Sequence, residues 1–476
     1  MTEWETVIGL EVHVQLATAS KLFCGCATRF GDPPNTNVCP VCLGLPGALP
    51  VPNEAAVRLA ARAALVLGSA IHSRSIFARK NYFYPDLPKG YQITQFDRPL
   101  ATGGSVAAEG PAGGITVGIT RLHLEEDAGK LLHDRFPGLT AIDLNRAGTP
   151  LAEIVTEPDL RSPGEARAFL NALKELLLYA RVSECSMEKG SLRVDANVSL
   201  RRSGTTVLGT KTELKNMNSF ATVERAIEAE QSRQRAILEG GGAVDQVTLL
   251  FDPASGEVRP MRSKEQSHDY RYFPDPDLPP VAVAAETIVA ERAALPELPE
   301  PKRRRYVEHL GLSASDARVL VADHTIAAYF EGAVGAGAPA KVAANWVMGE
   351  VMARYHETAS LPVPPQALAE LIGLVESGTV SLQAARKVFA ELTDAESPAA
   401  AAARLGLIQV RDQDALVSWV EAVVAAHPAE VGRYRGGEGK LLGFLVGQVM
   451  KRSRGAADPK AVTILLTATL SESPNA

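Results

Sequence analysis

Hydrophobic and polar positions alternate with period two in several stretches of the N-terminal half. VIGLEVHVQL (7–16) sets Ile8, Leu10, Val12, Val14 and Leu16 against Gly9, Glu11, His13 and Gln15. TRLHLEEDAGK (120–130) sets Leu122 and Leu124 against Arg121, His123 and Glu125, and ends in Glu126, Asp127 and Lys130. SLRVDANVSLR (191–201) sets Leu192, Val194, Ala196, Val198 and Leu200 against Arg193, Asp195, Asn197, Ser199 and Arg201. The pattern returns in GTKTELKNMNSF (209–220), with Lys211, Glu213 and Lys215 on one side. Period two predicts strands, whose side chains two apart share a face at a spacing of roughly 7 Å. If these strands share a sheet, one face covers a core. The other is a field of carboxylates, imidazoles and guanidiniums, a mixture suited to a divalent cation and a polyanion.

Helices with legible ends lie between the strands. Asn53 opens an Ala-rich helix that stops at Gly68, and Ser162-Pro163-Gly164-Glu165 is a capping box with proline at the first helical position, starting a helix to about Tyr179. Ser219 opens another, which runs into Gly240-Gly241-Gly242. A proline-dense segment follows, with Pro274, Pro276, Pro279, Pro280, Pro296, Pro299 and Pro301 before Lys302-Arg303-Arg304-Arg305. It marks a boundary. Beyond it, 340–355 and 365–376 carry helical period and alternation almost vanishes. A second break is expected over 397–405, where an alanine run leads to Gly406. The fold class expected is α+β: a mixed N-terminal domain over 1–290, an all-α domain over 291–404 and a small helical tail over 405–476.

A chain of 476 residues exceeds a single compact core, and 46% hydrophobic with 22% charged residues is ordinary globular composition. Glu3 and Glu5 exclude a basic-then-apolar signal at the N-terminus, and no uncharged apolar run reaches spanning length. A cytoplasmic protein away from membranes is expected. The net charge of −6 gives no general attraction to nucleic acid. Near the C-terminus, however, Arg433, Arg435, Lys440, Lys451, Arg452, Arg454 and Lys460 face only Glu438 and Asp458. That is a local basic patch, whose plainer reading is a solvated surface.

Cys24-x-Cys26 and Cys39-x-x-Cys42 have the close pairing of a four-thiolate zinc site, which staples a loop and leaves no open position for water. The plainer reading is packed free thiols. Cys185, alone between Glu184 and Ser186, is expected to be a small packed residue. No P-loop, H-E-x-x-H or G-x-S-x-G occurs, so a nucleotide enzyme here works without the first of these. Glu11 with His13, and Glu125 with Glu126, offer oxygen ligands and an imidazole suited to Mg2+ or Mn2+. A lone strand histidine is more often hydrogen-bonded structure, but two strands each present His and Glu two apart. Lys211, Glu213 and Lys215 suit phosphate and a cation, or else an exposed ion-pair ladder. YFYPDLPKGYQIT (82–94) is a rigid loop presenting Lys89 and aromatics, suited to a base platform or to packing. RSKEQSHDYRYFPDPDLPP (262–280) gathers Arg262, Lys264, Asp269, Arg271, Asp275 and Asp277 around aromatics, as a lid or pocket edge would.

Together IGLEVHVQL, YFYPDLPKGYQIT, LHLEEDAGK, NRAGTPLAEIV (145–155), GSLRVDANVS, ELKNMNSF, HDYRYFPDPDLPP and GFLVGQVMK make the chain resemble, along its length, the B subunits of the aspartyl/glutamyl-tRNA(Asn/Gln) amidotransferases. The resemblance implies a cradle domain with a glutamine-synthetase-like antiparallel sheet, a helical domain and a tail that binds tRNA. It implies ATP-dependent phosphorylation of the side-chain carboxylate of Glu-tRNA(Gln) or Asp-tRNA(Asn), followed by attack of ammonia to give Gln-tRNA(Gln) or Asn-tRNA(Asn). Ammonia comes from an amidase (A) subunit, a small C subunit completes a heterotrimer, and a non-discriminating aminoacyl-tRNA synthetase is a further candidate partner. The resemblance places Mg2+ at Glu11, His13, Glu125 and Glu126, and structural Zn2+ at Cys24, Cys26, Cys39 and Cys42. Around ATP and the acyl group it places Lys89, Asp195, Lys211 and Glu213 as catalytic residues and Asn197, Lys215 and Arg271 as cofactor-binding ones. Lys440, Lys451, Arg452 and Arg454 are assigned to tRNA. Leu144, Lys189, Val194, Leu249 and Leu250 depart from the usual family text, the first and third as packing changes; the last two put a phosphate contact at 247–251 in doubt. Two other readings stand beside this one: an ATP-dependent ligase of a free small carboxylate, and a zinc-stapled RNA-binding scaffold. The basic tail counts against the first, and Glu11, His13 and Glu125 would go unexplained in the second.

Overall fold

A computed structural model describes residues 4–261, 270–393, 396–409, 413–453 and 457–471. The chain forms two compact units, Met1–Pro299 and Glu300–Ala476. The break falls later than position 290 because the helix Ala285–Ala293 belongs to the first unit. Its Glu291, 1% exposed, is held by Arg58 (2.7 Å) and Arg62 (2.8 Å) of the helix Glu54–Val66.

The first unit is built on a ten-stranded sheet. Its strands run in the order Glu257–Pro260, Thr248–Asp252, Thr212–Lys215, Leu192–Arg202, Trp4–Gln15, Pro150–Thr156, Gly113–Glu126, Ala101–Thr102 and Ala70–Ile71. Ser105–Gly110 also pairs with Gly113–Glu126. The pairs are antiparallel as expected, except that Thr212–Lys215 and Thr248–Asp252 run parallel. The chain between those two forms the helix Phe220–Glu239, and a helical crossover returns a strand in its original direction.

The alternating stretches became strands, and the alternation sorts their faces as expected. Ile8, Leu10, Val12, Val14, Leu122, Leu124, Ile154, Val194, Ala196 and Val198 are all buried in one core with Phe169, Leu170, Leu173, Val223, Ala226 and Ile227 of the helices Pro163–Tyr179 and Phe220–Glu239. Each such aliphatic or aromatic side chain contributes roughly 1.5–3 kcal/mol on burial. The helix ends follow their capping residues. Asn53 accepts from Ala55 and Ala56, Ser162 from Glu165 and Ser219 from Thr222. In the capping box, Glu165 reaches back to the amide of Arg161 (2.7 Å), one residue before the cap. A small sheet of Ala78–Asn81, Tyr91–Thr94 and Phe273–Pro274 lies over the end of the Gly113–Glu126 strand.

The described part of the second unit is helical. The run expected over 340–355 is interrupted by a π turn, Val347–Val351, before it continues to Thr358. Around the second expected break, the alanine run forms the helix Pro398–Arg404, capped by Ser397, and the chain then turns at Gly406 (φ 65°). Gln413–Ala426, Pro428–Arg435, Leu441–Arg452 and Pro459–Ser471 share a core of Leu416, Val420, Val423, Leu445, Val449, Val462 and Leu466.

Candidate functional site

Four neighbouring strands place a row of charged residues across the polar face of the sheet. His13 stands opposite Arg193 on one side and Glu153 on the other, and Glu153 stands opposite His123. Glu125, two residues beyond His123, shares its face. The side chains converge: His13 Nε2 lies 3.5 Å from Glu125 and 3.3 Å from Glu153, and His123 Nε2 lies 3.5 Å and 3.4 Å from the same two.

Three members of this cluster are withdrawn from solvent, with His123 4%, Glu125 3% and Glu153 8% exposed, and His13 is half-buried, its side chain 18% exposed. Thr94 donates to Glu125 (3.2 Å) from the small sheet above. Burial by itself would lower the pKa of both imidazoles. For His123 the carboxylates of Glu153 and Glu125 prevail and raise it to about 9, and for His13 the bond to Glu153 and the charge of Glu125 also raise it. Glu153 is held well below the usual carboxylate range against its own burial, by His123 and then His13. Lys80 is held up by Tyr272, Glu125, Tyr270 and Glu153 although burial opposes its charge.

Two buried carboxylates this close require positive charge between them. Ligand atoms of His13, Glu125 and Glu153 lie within 4.8 Å of one another, and the buried Nδ1 of His123 has no hydrogen-bond partner among the described residues. One imidazole with two carboxylates is a donor set that fits a divalent cation.

The structure therefore brings together two of the four residues expected at magnesium, His13 and Glu125. Glu11 faces the same way one step along the strand and accepts from Asn197 (2.9 Å). Glu126 points to the opposite face of its strand, because adjacent strand residues alternate. There it is buried against Lys89 and accepts the amide of Ile93 (2.9 Å). Its place in the cluster is taken by Glu153.

A second group adjoins Glu11, which stands opposite Asp195. Lys215 contacts Asp195 (2.6 Å) and Glu213 (3.0 Å), and Thr248 donates to Glu213 (2.8 Å). Burial would lower the pKa of Lys215, but Asp195 and Glu213 raise it. Lys211 is exposed just before the strand and contributes to holding Glu213 below its usual range. The ladder of alternating sign is thus real, and it lies on the same sheet face as the His-Glu row. Arg271 is exposed, with a left-handed φ of 44°, and its carbonyl accepts from Asn81 (2.8 Å).

Cys24, Cys26, Cys39 and Cys42 also converge, with sulfurs within 4.8 Å of one another. All are free thiols. Bonding from Cys24 pulls the Cys42 thiol down to about 4. Burial pushes Cys26 up to about 11, and Cys24 is raised further, chiefly by its bond to Cys42. Four sulfurs at such spacing fit a tetrahedral metal. Its loop is also one wall of a small cavity lined by Lys21, Cys42, Gly44, Lys89 and Glu126, of about 80 Å3. Gly44 (φ 67°) lies against Lys89 so closely that a Cβ there would meet the lysine stem at 2.2 Å. Cys185 is buried and packed in the main core.

In the tail, Lys440 precedes the helix Leu441–Arg452, and Lys451 and Arg452 occupy its last turn; all three are exposed. The neighbouring patch is partly neutralised, since Arg433 pairs with Glu438 (2.6 Å) and Arg435 donates to the carbonyl of Leu470 (3.1 Å). Arg454 and the stretch 262–269, with Arg262, Lys264 and Asp269, lie outside the described residues. Of the departures from family text, Val194 is a core residue, Leu144 packs over Gly129, Lys189 pairs with Glu184 (2.8 Å), Leu249 is buried and Leu250 is 38% exposed.

Residues 6–289 match the family described as GatB/GatE catalytic domain, and 328–470 that described as GatB domain. The chain belongs to the GatB/GatE family. Among similar proteins of this family, the B subunit of the aspartyl/glutamyl-tRNA(Asn/Gln) amidotransferase of Geobacter sulfurreducens is 51% identical over 97% of this chain and 98% of its own. The corresponding proteins of Solidesulfovibrio magneticus (51%) and Thioalkalivibrio sulfidiphilus (52%) each match over 98% of this chain and 99% of their own. No helix among the described residues is long and apolar enough to cross a membrane.

Sequence reasoning passed over Glu153 and Lys80 as site residues of this GatB/GatE chain, and weighed His123 only as half of the second His–Glu pair without assigning it a role. Glu153 did carry a signal: a lone acid in the apolar run LAEIV is costly to bury unless it has a partner.

Proposed function

We propose that this chain is the amide-forming subunit of a tRNA-dependent amidotransferase. It phosphorylates the side-chain carboxylate of Glu-tRNA(Gln) or Asp-tRNA(Asn) at the expense of ATP, and ammonia then converts the product to Gln-tRNA(Gln) or Asn-tRNA(Asn). The observation that carries this reading is the largely buried row of His13, Glu153 and His123 with Glu125, lying beside the Asp195–Lys215–Glu213 ladder on one sheet face.

A carboxylate is a poor acyl donor. Its oxygen attacks the γ-phosphorus, ADP leaves, and an acyl phosphate results; ammonia adds to the acyl carbon, inorganic phosphate leaves and nitrogen loses a proton. Catalysis is then a matter of position and charge. His13, Glu125 and Glu153 would hold Mg2+, which when bound neutralises phosphate oxygens. Arg193, Lys211 and Lys215 lend positive charge to the same face. Asn197 orients Glu11, and Asp195 and Glu213 orient Lys215. Burial of Glu125 and Glu153 strengthens their attraction for a cation held between them. Lys89 is held by Glu126 and Tyr91 in a separate cavity beside the thiols, so we assign it to the wall of the site. The four cysteines hold zinc, and the last four helices form a tail that meets tRNA through Lys440, Lys451 and Arg452. We assign the protein to the cytoplasm, in a heterotrimer with an amidase subunit and a small C subunit, with a synthetase as a further associate.

The test is to purify the chain with its partner subunits and supply Glu-tRNA(Gln) and Asp-tRNA(Asn), with and without ATP. ATP-dependent amide formation on either supports the reading. Amidation of free glutamate or aspartate alone would replace it with the small-carboxylate ligase.

A further inference from the structure

Among the largest fully buried side chains is a lysine. Lys21 is 0% exposed, and its ammonium lies within reach of three acceptors: the carbonyl of Asn37 (2.7 Å), the carbonyl of Leu144 (3.3 Å) and Cys42 Sγ (3.6 Å). An ammonium withdrawn from water requires an anion. Among the described residues no carboxylate forms an ion pair with it, and carbonyls supply only partial charge. Among the described residues its one hydrogen-bonding partner able to carry a full negative charge is the Cys42 sulfur, 3.6 Å away.

The surroundings are built around this contact. The backbone amide of Lys21 donates to the carbonyl of Cys26 (2.9 Å), and its own carbonyl accepts from Asn53 (3.1 Å), the cap of the following helix. Gly148, at a φ of 84°, packs against the pair: a Cβ there would make ordinary contact, 3.5 Å, with both the Lys21 stem and Cys42. Four thiolates on a dication leave two surplus negative charges, and a thiolate that accepts an N–H bond is the better stabilised for it.

The geometry points to Lys21 as the charge-balancing positioning residue of the four-cysteine site, its buried ammonium offsetting thiolate charge through Cys42 so that the site holds a dication tightly. This rests on the reading that the cysteines bind zinc.

The test uses the full chain. Zinc affinity is measured by competition with a chromophoric chelator for the unmodified protein, Lys21→Met and Lys21→Gln, and absorption spectra are recorded after cobalt replacement. Both variants should bind zinc roughly tenfold to a hundredfold more weakly, and the sulfur-to-cobalt charge-transfer bands should move to longer wavelength, since an unbonded thiolate donates more readily. An unmodified chain that binds no zinc removes the thiolate site and this inference with it. Normal affinity in both variants leaves the site standing and overturns the role of Lys21. Weak binding by Lys21→Met alone assigns the residue to a neutral hydrogen-bonded tie, which also overturns it. If neither variant folds, the native chain decides the matter: with 113Cd at the site and 15N-labelled lysine, a scalar coupling between cadmium and the Lys21 ammonium is expected, and its absence rejects the contact.

Discussion

Among the described residues of the first unit, two groups of side chains can hold a metal ion, and they are assembled in opposite ways. The four cysteines come from one loop, and the spacing of their pairs already brings the sulfurs near each other. His13, Glu125 and Glu153 come from three strands far apart in the chain, and only strand register sets them side by side. The first group is soft, closed and suited to a structural ion. The second is hard, partly covered by a small sheet and lies beside a field of paired charge. A local cluster staples the fold, whereas a non-local one exists only once the fold is complete.

This contrast breaks first at the carboxylates. Replacing Glu125 or Glu153 with Gln should lower kcat for amidated tRNA by on the order of 10³-fold even with ammonium chloride supplied, with tRNA affinity nearly unchanged. Activity above a tenth of normal would make the row structural. Cys39→Ser combined with Cys42→Ser should instead lose the bound zinc and lower the melting temperature by roughly 5–10 °C, while kcat at moderate temperature falls by about tenfold or less. A larger loss of kcat than of stability would move the thiols into the catalytic machinery.

Metal exchange sharpens the difference. Dialysis against a chelator should abolish activity, and added Mg2+ should restore it, with thiolate-bound zinc still present by elemental analysis. Loss of both metals together, or recovery only with zinc, would reverse the assignment. Exposed charge should matter least for chemistry. Changing Lys440, Lys451 and Arg452 to Gln should weaken tRNA binding and flatten its salt dependence by up to about one log unit per lost phosphate contact, leaving kcat intact at saturation; an unchanged slope assigns these residues to solvent or to a partner. The smallest effect belongs to Asn53, which caps its helix and also donates to Ser20 and Lys21 at the root of the thiol loop. Asn53→Ala should cost about 1 kcal/mol in thermal unfolding and quicken zinc release, and a normal release rate would detach the cap from the loop.

Much of the frame was legible because it depends on near neighbours. Alternation identified the strands carrying His13, Glu125 and Asp195, and Asn53, Ser162 and Ser219 marked helix starts to the residue. The same alternation, applied one position further, would have sent Glu126 to the other face from Glu125. Glu11 and His13 share a face but lie a full step apart, so they serve different neighbours. Glu153 was hidden because an apolar run says that a strand is buried and not which side chains stand beside it.

The sequence by itself determined which residues become strand and helix, which face of each strand is apolar, and that four thiols are close, because these follow from dihedral preference, periodicity and short chain separation. Only the tertiary structure decided that Glu153 and His123 complete the His13–Glu125 cluster, that Lys89 belongs with Glu126, and that Lys21 lies buried against a thiol. Those facts depend on the order and register of strands distant in the chain, which hydrogen bonding and core packing settle together once the sheet has closed.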